Sequence, residues 1–286
     1  SKVLQIQRDI VRAYEDDMVK NAPSADKPLI KQCFQSIPRQ LAKENKKFQY
    51  SLVKKGSTSA RFAGSLRWVE DAGITVRCRN LSITELPLDG NAIDDQFKVY
   101  MADTGLFISM LEDGTQFDVL NGNLFGYKGA IFENLIADVF SKMGRELYYF
   151  RKDSGLELDF VIRYKGRCVP VEVKANDGNV KSLKTVLKHP EKYHVVSAVK
   201  LADLNVGRTD TILTLPLYMA IGDAPAVFWL PADLSRVPLQ WCFDMLTIKA
   251  QVVRLFERGY CARSVQSHHR LLLRPPIGTR PTRGRS

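Results

Sequence analysis

The stretch LELDFVIRYKGRCVPVEVK, residues 156–174, is two short apolar runs split by the turn signal Tyr164–Arg167. Runs this short, rich in Val, Ile and Phe and joined through Lys-Gly, read as a β-hairpin, so the chain must build a sheet here. Side chains on a strand alternate faces. Leu156, Leu158, Phe160 and Ile162 therefore share one face, with Glu157 and Asp159 on the other. Val169, Val171 and Val173 point one way, and Glu172 and Lys174 the opposite way. Two half-buried strands with a solvated polar face account for this pattern. A third acid gives it another meaning.

In KGAIFENLIADVF, residues 128–140, Ile131, Phe132, Leu135, Ile136, Val139 and Phe140 recur at helical spacing. At about 100° per residue they fill one half of a helix, and Glu133 borders that half. A helix laid on the sheet would bring Glu133 towards Asp159, Glu172 and Lys174. Such a cluster suits metal-assisted phosphodiester hydrolysis. Carboxylates hold Mg²⁺, or Mn²⁺ in its place, through hard oxygen ligands, and the ion keeps waters that become the nucleophile. Lys174, two residues after Glu172, would orient or deprotonate that water and offset charge in the transition state.

Asp159, a hairpin turn and then Glu172-Val173-Lys174 resemble the D…(D/E)xK core of the PD-(D/E)xK nuclease superfamily, with Glu133 in the place of its preceding helix acid. The proline of the name is replaced here by Leu158. The resemblance implies Asp159 and Glu172 as metal ligands, Glu133 as an auxiliary ligand and Lys174 as a catalytic residue. A narrower likeness rests on several words in order: QRDIVRAYEDDMVK (7–20), FQSIPRQLAKENKKFQYS (34–51), WVEDAGI (68–74), KVYMADTGL (98–106), KGAIFENLIA (128–137) and LELDFVI…VPVEVKA. Together they resemble the C-terminal half of bacterial and archaeal AAA-superfamily ATP-binding proteins that carry a conserved domain of unknown function after the ATPase core. That likeness covers residues 1 to about 221. It implies an ATPase core, then a winged-helix-like linker, then a nuclease-like domain.

The remaining readings concern organisation. Helices are expected over 3–19, 28–45 and 49–55, and a third core helix follows GSTS, capped by Ser57 or Thr58, packed through Phe62, Leu66 and Val69 and stopped by Gly73. Strand-like alternation over 74–86 reads as a β-hairpin, so helix, helix, helix, hairpin resembles a winged helix. Lys54, Lys55, Arg61, Arg67, Arg77 and Arg79 could there follow the phosphates of DNA, or be the solvated face of a linker interrupted by Glu70 and Asp71. Beyond it a strand is expected at 97–101, helices at 103–112 and 126–143, strands at 146–151, 156–164 and 168–174, a helix at 178–188, and strands at 193–199 and 211–215. The fold class is α/β: a winged-helix-like region followed by a restriction-endonuclease-like mixed sheet flanked by helices. The expected divisions are a connecting helix (1–25), the winged-helix-like domain (26–90), the nuclease-like domain (91–221) and an atypical basic tail (222–286).

With 286 residues and 45% apolar content, the chain has material for two cores. No apolar run is long enough to span a bilayer and no signal peptide opens the sequence, so the expectation is a cytoplasmic protein without a membrane partner. The five cysteines show no zinc spacing and His189 and His194 lack a third ligand at metal spacing. No GxxxxGK[ST] phosphate loop occurs, so no ATP site is expected in this chain. Of the net charge of +11, residues 222–286 carry +6, from nine Arg and one Lys against four acids. The body uses 20 Lys and 12 Arg. On that switch the tail is expected to be foreign to the family, from a shifted frame or an insertion, with a helix-like stretch expected at 239–259 and a disordered end. The leading expectation is a Mg²⁺-dependent nuclease-like module acting on DNA. The alternatives are a non-catalytic module that binds nucleic acid or a partner, and a structural half that holds ATPase subunits together.

Overall fold

Schellman geometry ends the third core helix, and it shows how local sequence builds the first part of the chain. Helix α4, Ser59–Asp71, buries Phe62, Leu66 and Val69. At Gly73 the backbone turns left-handed with φ 70°. The Gly73 N–H then donates to Glu70 O and the Ile74 N–H to Val69 O, which satisfies the last carbonyls of the helix. Thr58 holds the expected N-cap position, but its side chain makes no capping bond. The structure, a computed structural model, describes residues 2–22, 26–56, 58–121, 127–175 and 178–221. Ser57 and the whole 222–286 tail, including Cys242, Cys261 and the expected helix at 239–259, lie outside them.

Helix α1 spans Lys2–Asn21, α2 Lys27–Leu41 and α3 Tyr50–Val53. The apolar stripe of α2, Ile30, Phe34, Ile37 and Leu41, is fully buried. The expected hairpin over 74–86 is corrected: strand β1 is Thr75–Leu81 alone, and its partner β2 is Ala92–Met101. The turn lies later because Pro87 and Asp89–Asn91 interrupt the ladder. A cis Leu86–Pro87 bond and a 3-10 turn over Asp89–Asn91 close the loop, and the Ser82 N–H donates to Asn91 O. Helices α5 (Thr104–Ser109), α6 (Thr115–Leu120) and α7 (Lys128–Lys142) follow. Asp103 caps α5, its carboxylate accepting from the Leu106 N–H at 2.9 Å.

Strand β3, Leu147–Arg151, runs parallel to β1, and β4, Glu157–Leu158, pairs with β3, giving the first sheet the order β2-β1-β3-β4. The sheet thus joins residues on both sides of position 90. A second sheet, β5-β6-β7-β9-β8, is made from β5 (Phe160–Tyr164), β6 (Arg167–Lys174), β7 (Ala198–Ala202), β8 (Gly207–Arg208) and β9 (Ile212–Pro216). Helices α8 (Lys181–Lys188) and α9 (Pro190–Tyr193) connect β6 to β7, and the helical turn at Pro190 starts β7 later than the expected 193. Lys165 and Gly166, both at positive φ, make the tight turn between β5 and β6.

The strand expected over 156–164 is divided. Leu158 pairs with Phe150 in the first sheet, Phe160 pairs with Val171 in the second, and Asp159 is the crossing point. Both faces here are covered. Tyr100 and Phe140 pack on the Phe160 ring at 5.8 and 5.7 Å, while Leu183, Val186 and Tyr193 close over Leu158 and Val161 from the other direction. Asp159, Glu172 and Glu133 are consequently buried, not spread on a solvated face. The architecture is mixed α/β, with two mixed sheets and flanking helices. No helix among the described residues is long and apolar enough to cross a membrane.

Candidate active site

Asp159 sits where the chain changes sheets, and β6 holds it there: the Val173 N–H donates to Asp159 Oδ2 at 2.8 Å. From the same strand Lys174 reaches back, its Nζ 2.6 Å from Glu172 Oε1 and 3.9 Å from Asp159 Oδ2. Glu172 Oε2 is buried and has no hydrogen-bond partner among the described residues. An orphaned carboxylate oxygen is costly, and it marks a place where a cation or a donor fits.

Helix α7 delivers Glu133, which is also buried. Lys46 contacts its Oε1, Tyr100 donates its hydroxyl to Oε2 at 3.2 Å, and Lys98 Nζ lies 3.7 Å from the same oxygen. Two further α7 side chains hold the helix against the end of β2. Asn134 brackets Met101, accepting from its N–H at 2.8 Å and donating to its carbonyl at 3.1 Å, and Asp138 accepts from the Thr104 N–H and hydroxyl, both at 3.0 Å. Glu133 is thereby fixed over the sheet crossing.

The charges answer one another. Burial pushes the Asp159 carboxyl up to about 8, and the neighbouring Glu133 and Glu172 add to that rise, which favours its protonated form. Burial also raises Glu172, with Lys174 acting in the opposite sense. For Glu133 burial is outweighed by Lys98 and Lys46, and its carboxyl is held below the usual range. For Lys174 burial is outweighed by Asp159 and then Glu172, and its ammonium is held more tightly than usual.

Sequence reading missed four members of this cluster. Lys98 on β2 is fully buried with its Nζ 2.6 Å from Glu157 Oε1, and Arg151 pairs with Glu157 Oε2 at 2.6 Å. Lys46 and Tyr100 complete the surroundings of Glu133. Lys98 was the detectable one, a charge inside the apolar word FKVYM. Lys46, in a polar loop, carries no such signal.

Among the described residues no group of three or more His, Cys, Asp or Glu side chains is arranged to hold a metal ion. As placed, Glu133 has both oxygens engaged by cations and a hydroxyl, which leaves Asp159 and Glu172. Two carboxylates suffice for Mg²⁺, which keeps most of its waters. Lys174 Nζ lies against this pair, 2.6 Å from Glu172 and 3.9 Å from Asp159.

The six basic residues expected to follow phosphates divide into two sets. Lys54, Lys55, Arg61 and Arg67 are exposed, Arg67 loosely paired with Asp71 at 3.8 Å. Arg77 is committed to the fold, bonded to both Glu70 oxygens at 2.8 and 2.7 Å and set 4.1 Å over the Phe97 ring. Arg79 is held by Asp89 at 2.7 Å, Glu146 at 3.0 Å and the Tyr148 hydroxyl at 3.1 Å. His189 and His194 are exposed, facing Glu191 at 3.4 Å and Glu85 at 3.1 Å.

Residues 1–116 match the family described as Domain of unknown function (DUF8612), and residues 128–218 match another, Domain of unknown function (DUF4143). The second is typically found in proteins associated with AAA-type ATPases. The gap between the two matches falls at 117–127, after the β1–β2 hairpin. No curated protein and no solved structure matches the chain.

Proposed function

We propose that the chain is the nuclease-like module of an AAA-type ATP-binding protein of the cytoplasm, and that it hydrolyses phosphodiester bonds of DNA at Asp159, Glu172 and Lys174 with Mg²⁺. The observation that carries this reading is Glu172 Oε2, a buried carboxylate oxygen without a partner among the described residues, on a side chain that shares Lys174 with Asp159. The order Asp159, hairpin, Glu172-Val173-Lys174 supports placing the site in a PD-(D/E)xK-like fold, and the match over residues 128–218 supports the ATPase connection.

Asp159 and Glu172 would hold the ion. When bound, Mg²⁺ supplies a water of lowered pKa and a Lewis acid for the phosphoryl oxygen. Asp159 is held at a fixed depth by the Val173 N–H and must release its proton before it can serve as a ligand. Lys174 remains protonated beside Glu172 and offers its ammonium to the charge that develops on phosphate. Glu133 contributes charge from behind rather than a coordinating oxygen. Lys54, Lys55, Arg61 and Arg67, on and before α4 of a winged-helix-like region, would receive the DNA backbone without reading its sequence.

A plasmid-cleavage assay tests the reading. The chain is expected to cut in Mg²⁺, Glu172→Ala to lose all cutting, and Lys174→Ala to cut roughly 10² to 10⁴ more slowly. A second reading is favoured by the pairing of Glu133 with Lys46 and Lys98: the cluster is then a closed ion-pair network in a non-catalytic binding module. Absence of cutting in Mg²⁺ and Mn²⁺, with DNA affinity the same in all three proteins, would select it.

A further inference from the structure

Lys98 is an ammonium in the interior. Its side chain is 1% exposed, a state that a lysine tolerates only when compensated. The compensation comes from two carboxylates on different elements: Glu157 of β4 at 2.6 Å and Glu133 of α7 at 3.7 Å, with the Tyr149 ring 4.8 Å beneath. The ammonium makes no aligned hydrogen bond to either acid, so it is held as a point charge between them. Each acid has another cation on its far oxygen, Arg151 on Glu157 and Lys46 on Glu133. The result is an alternating row, Arg151, Glu157, Lys98, Glu133, Lys46, with three positive groups and two negative ones. Beside it lies the group Asp159, Glu172 and Lys174, with two acids and one base.

From this balance we infer that the Lys98 ammonium takes the place of a second metal ion between Glu133 and Glu157, so that the site accepts one divalent cation and no more. The row carries a surplus of positive charge and repels a divalent ion, while the neighbouring group sets two acids against one base. The inference rests on the Mg²⁺ reading only for the first ion. The Lys98 position stands on its own contacts. It makes Lys98 a positioning residue: its ammonium lies between the Glu133 and Glu157 carboxylates and keeps a metal ion from the space between them.

Replacing Lys98 with the neutral, similarly long glutamine leaves both acids with one cation each and opens that space. Equilibrium dialysis with Mn²⁺ on the full chain counts the ions. The expected result is one Mn²⁺ in the unsubstituted chain and two in Lys98→Gln. Equal counts in the two proteins, or two ions in the unsubstituted one, would overturn the inference. None in the unsubstituted chain and one in Lys98→Gln would uphold it and sink the Mg²⁺ reading, whereas one in each does the reverse. Where Lys98→Gln does not fold without cation, circular dichroism replaces dialysis. Mn²⁺ that leaves the unsubstituted chain unchanged is then expected to restore the helical signal of the variant, and failure to restore it overturns the inference.

Discussion

Asp159→Asn should make the protein more stable at neutral pH, not less. The carboxyl is buried, and burial together with Glu133 and Glu172 lifts it from its ordinary 3.8 to about 8. Between those values the unfolded chain releases a proton that the folded chain retains. The stability tied to this group is therefore full below about 3.8 and is lost progressively as pH climbs to about 8, where the folded state ionises too. A gap of about four units, at about 1.4 kcal/mol each, sets a ceiling on the order of 5 kcal/mol. Asparagine is neutral throughout and its amide oxygen can still accept from the Val173 N–H, the hydrogen bond that holds the aspartate side chain. In a domain of this size about 1 kcal/mol moves Tm by roughly 2–4 °C, so even a third of the ceiling gives a rise of roughly 3–7 °C. Thermal unfolding of both proteins from pH 4.5 to 8.5, in chelator, measures it. The Tm difference should be small at the acid end, grow towards pH 8 and then level off. A variant no more stable than the parent at pH 8, or a difference independent of pH, would refute the assignment of a protonated Asp159.

Arg77→Ala should lower stability by about 1–3 kcal/mol in urea unfolding, because it leaves part-buried Glu70 without its two bonds and uncovers the Phe97 ring. Arg61→Ala, on an exposed position, should leave stability within about 0.5 kcal/mol and weaken DNA binding equally for all sequences, with a shallower salt dependence in a fluorescence-anisotropy titration. Asn134→Ala should cost about 2–4 kcal/mol in the same unfolding assay, since it strips partners from the N–H and carbonyl of buried Met101.

Local chemistry was legible where it is settled within a few residues. Gly73 stops α4, Lys165-Gly166 turns β5 into β6, and Asp103 caps α5, each through backbone geometry that its neighbours determine. The acids Glu133, Asp159 and Glu172 could be named from position, yet their environment could not. Alternation at period two predicted a wet face, and it fails at Asp159 because the chain passes from one sheet to the other there, with layers packed on both sides. The partner of β1 was misplaced because AIDDQ at the start of β2 lacks alternation, while SITEL before Pro87 has enough to imitate a strand. Lys98 and Lys46 escaped for a different reason. Their roles depend on Glu157 and Glu133, which are distant in sequence and meet them only through the fold. For the same reason the sequence does not show that Arg77 and Arg79 are held by Glu70, Asp89 and Glu146.

The proposed hydrolysis depends on an ion bound through Glu172, and isothermal calorimetry of Mg²⁺ and Mn²⁺ at pH 8 measures that directly. The account predicts saturable binding of one ion per chain, its loss in Glu172→Ala, and its survival in Lys174→Ala, because Lys174 is a counter-charge and not a ligand. An unsubstituted chain that gives no saturable heat with either ion, or a Glu172→Ala variant that binds as the parent does, would contradict it.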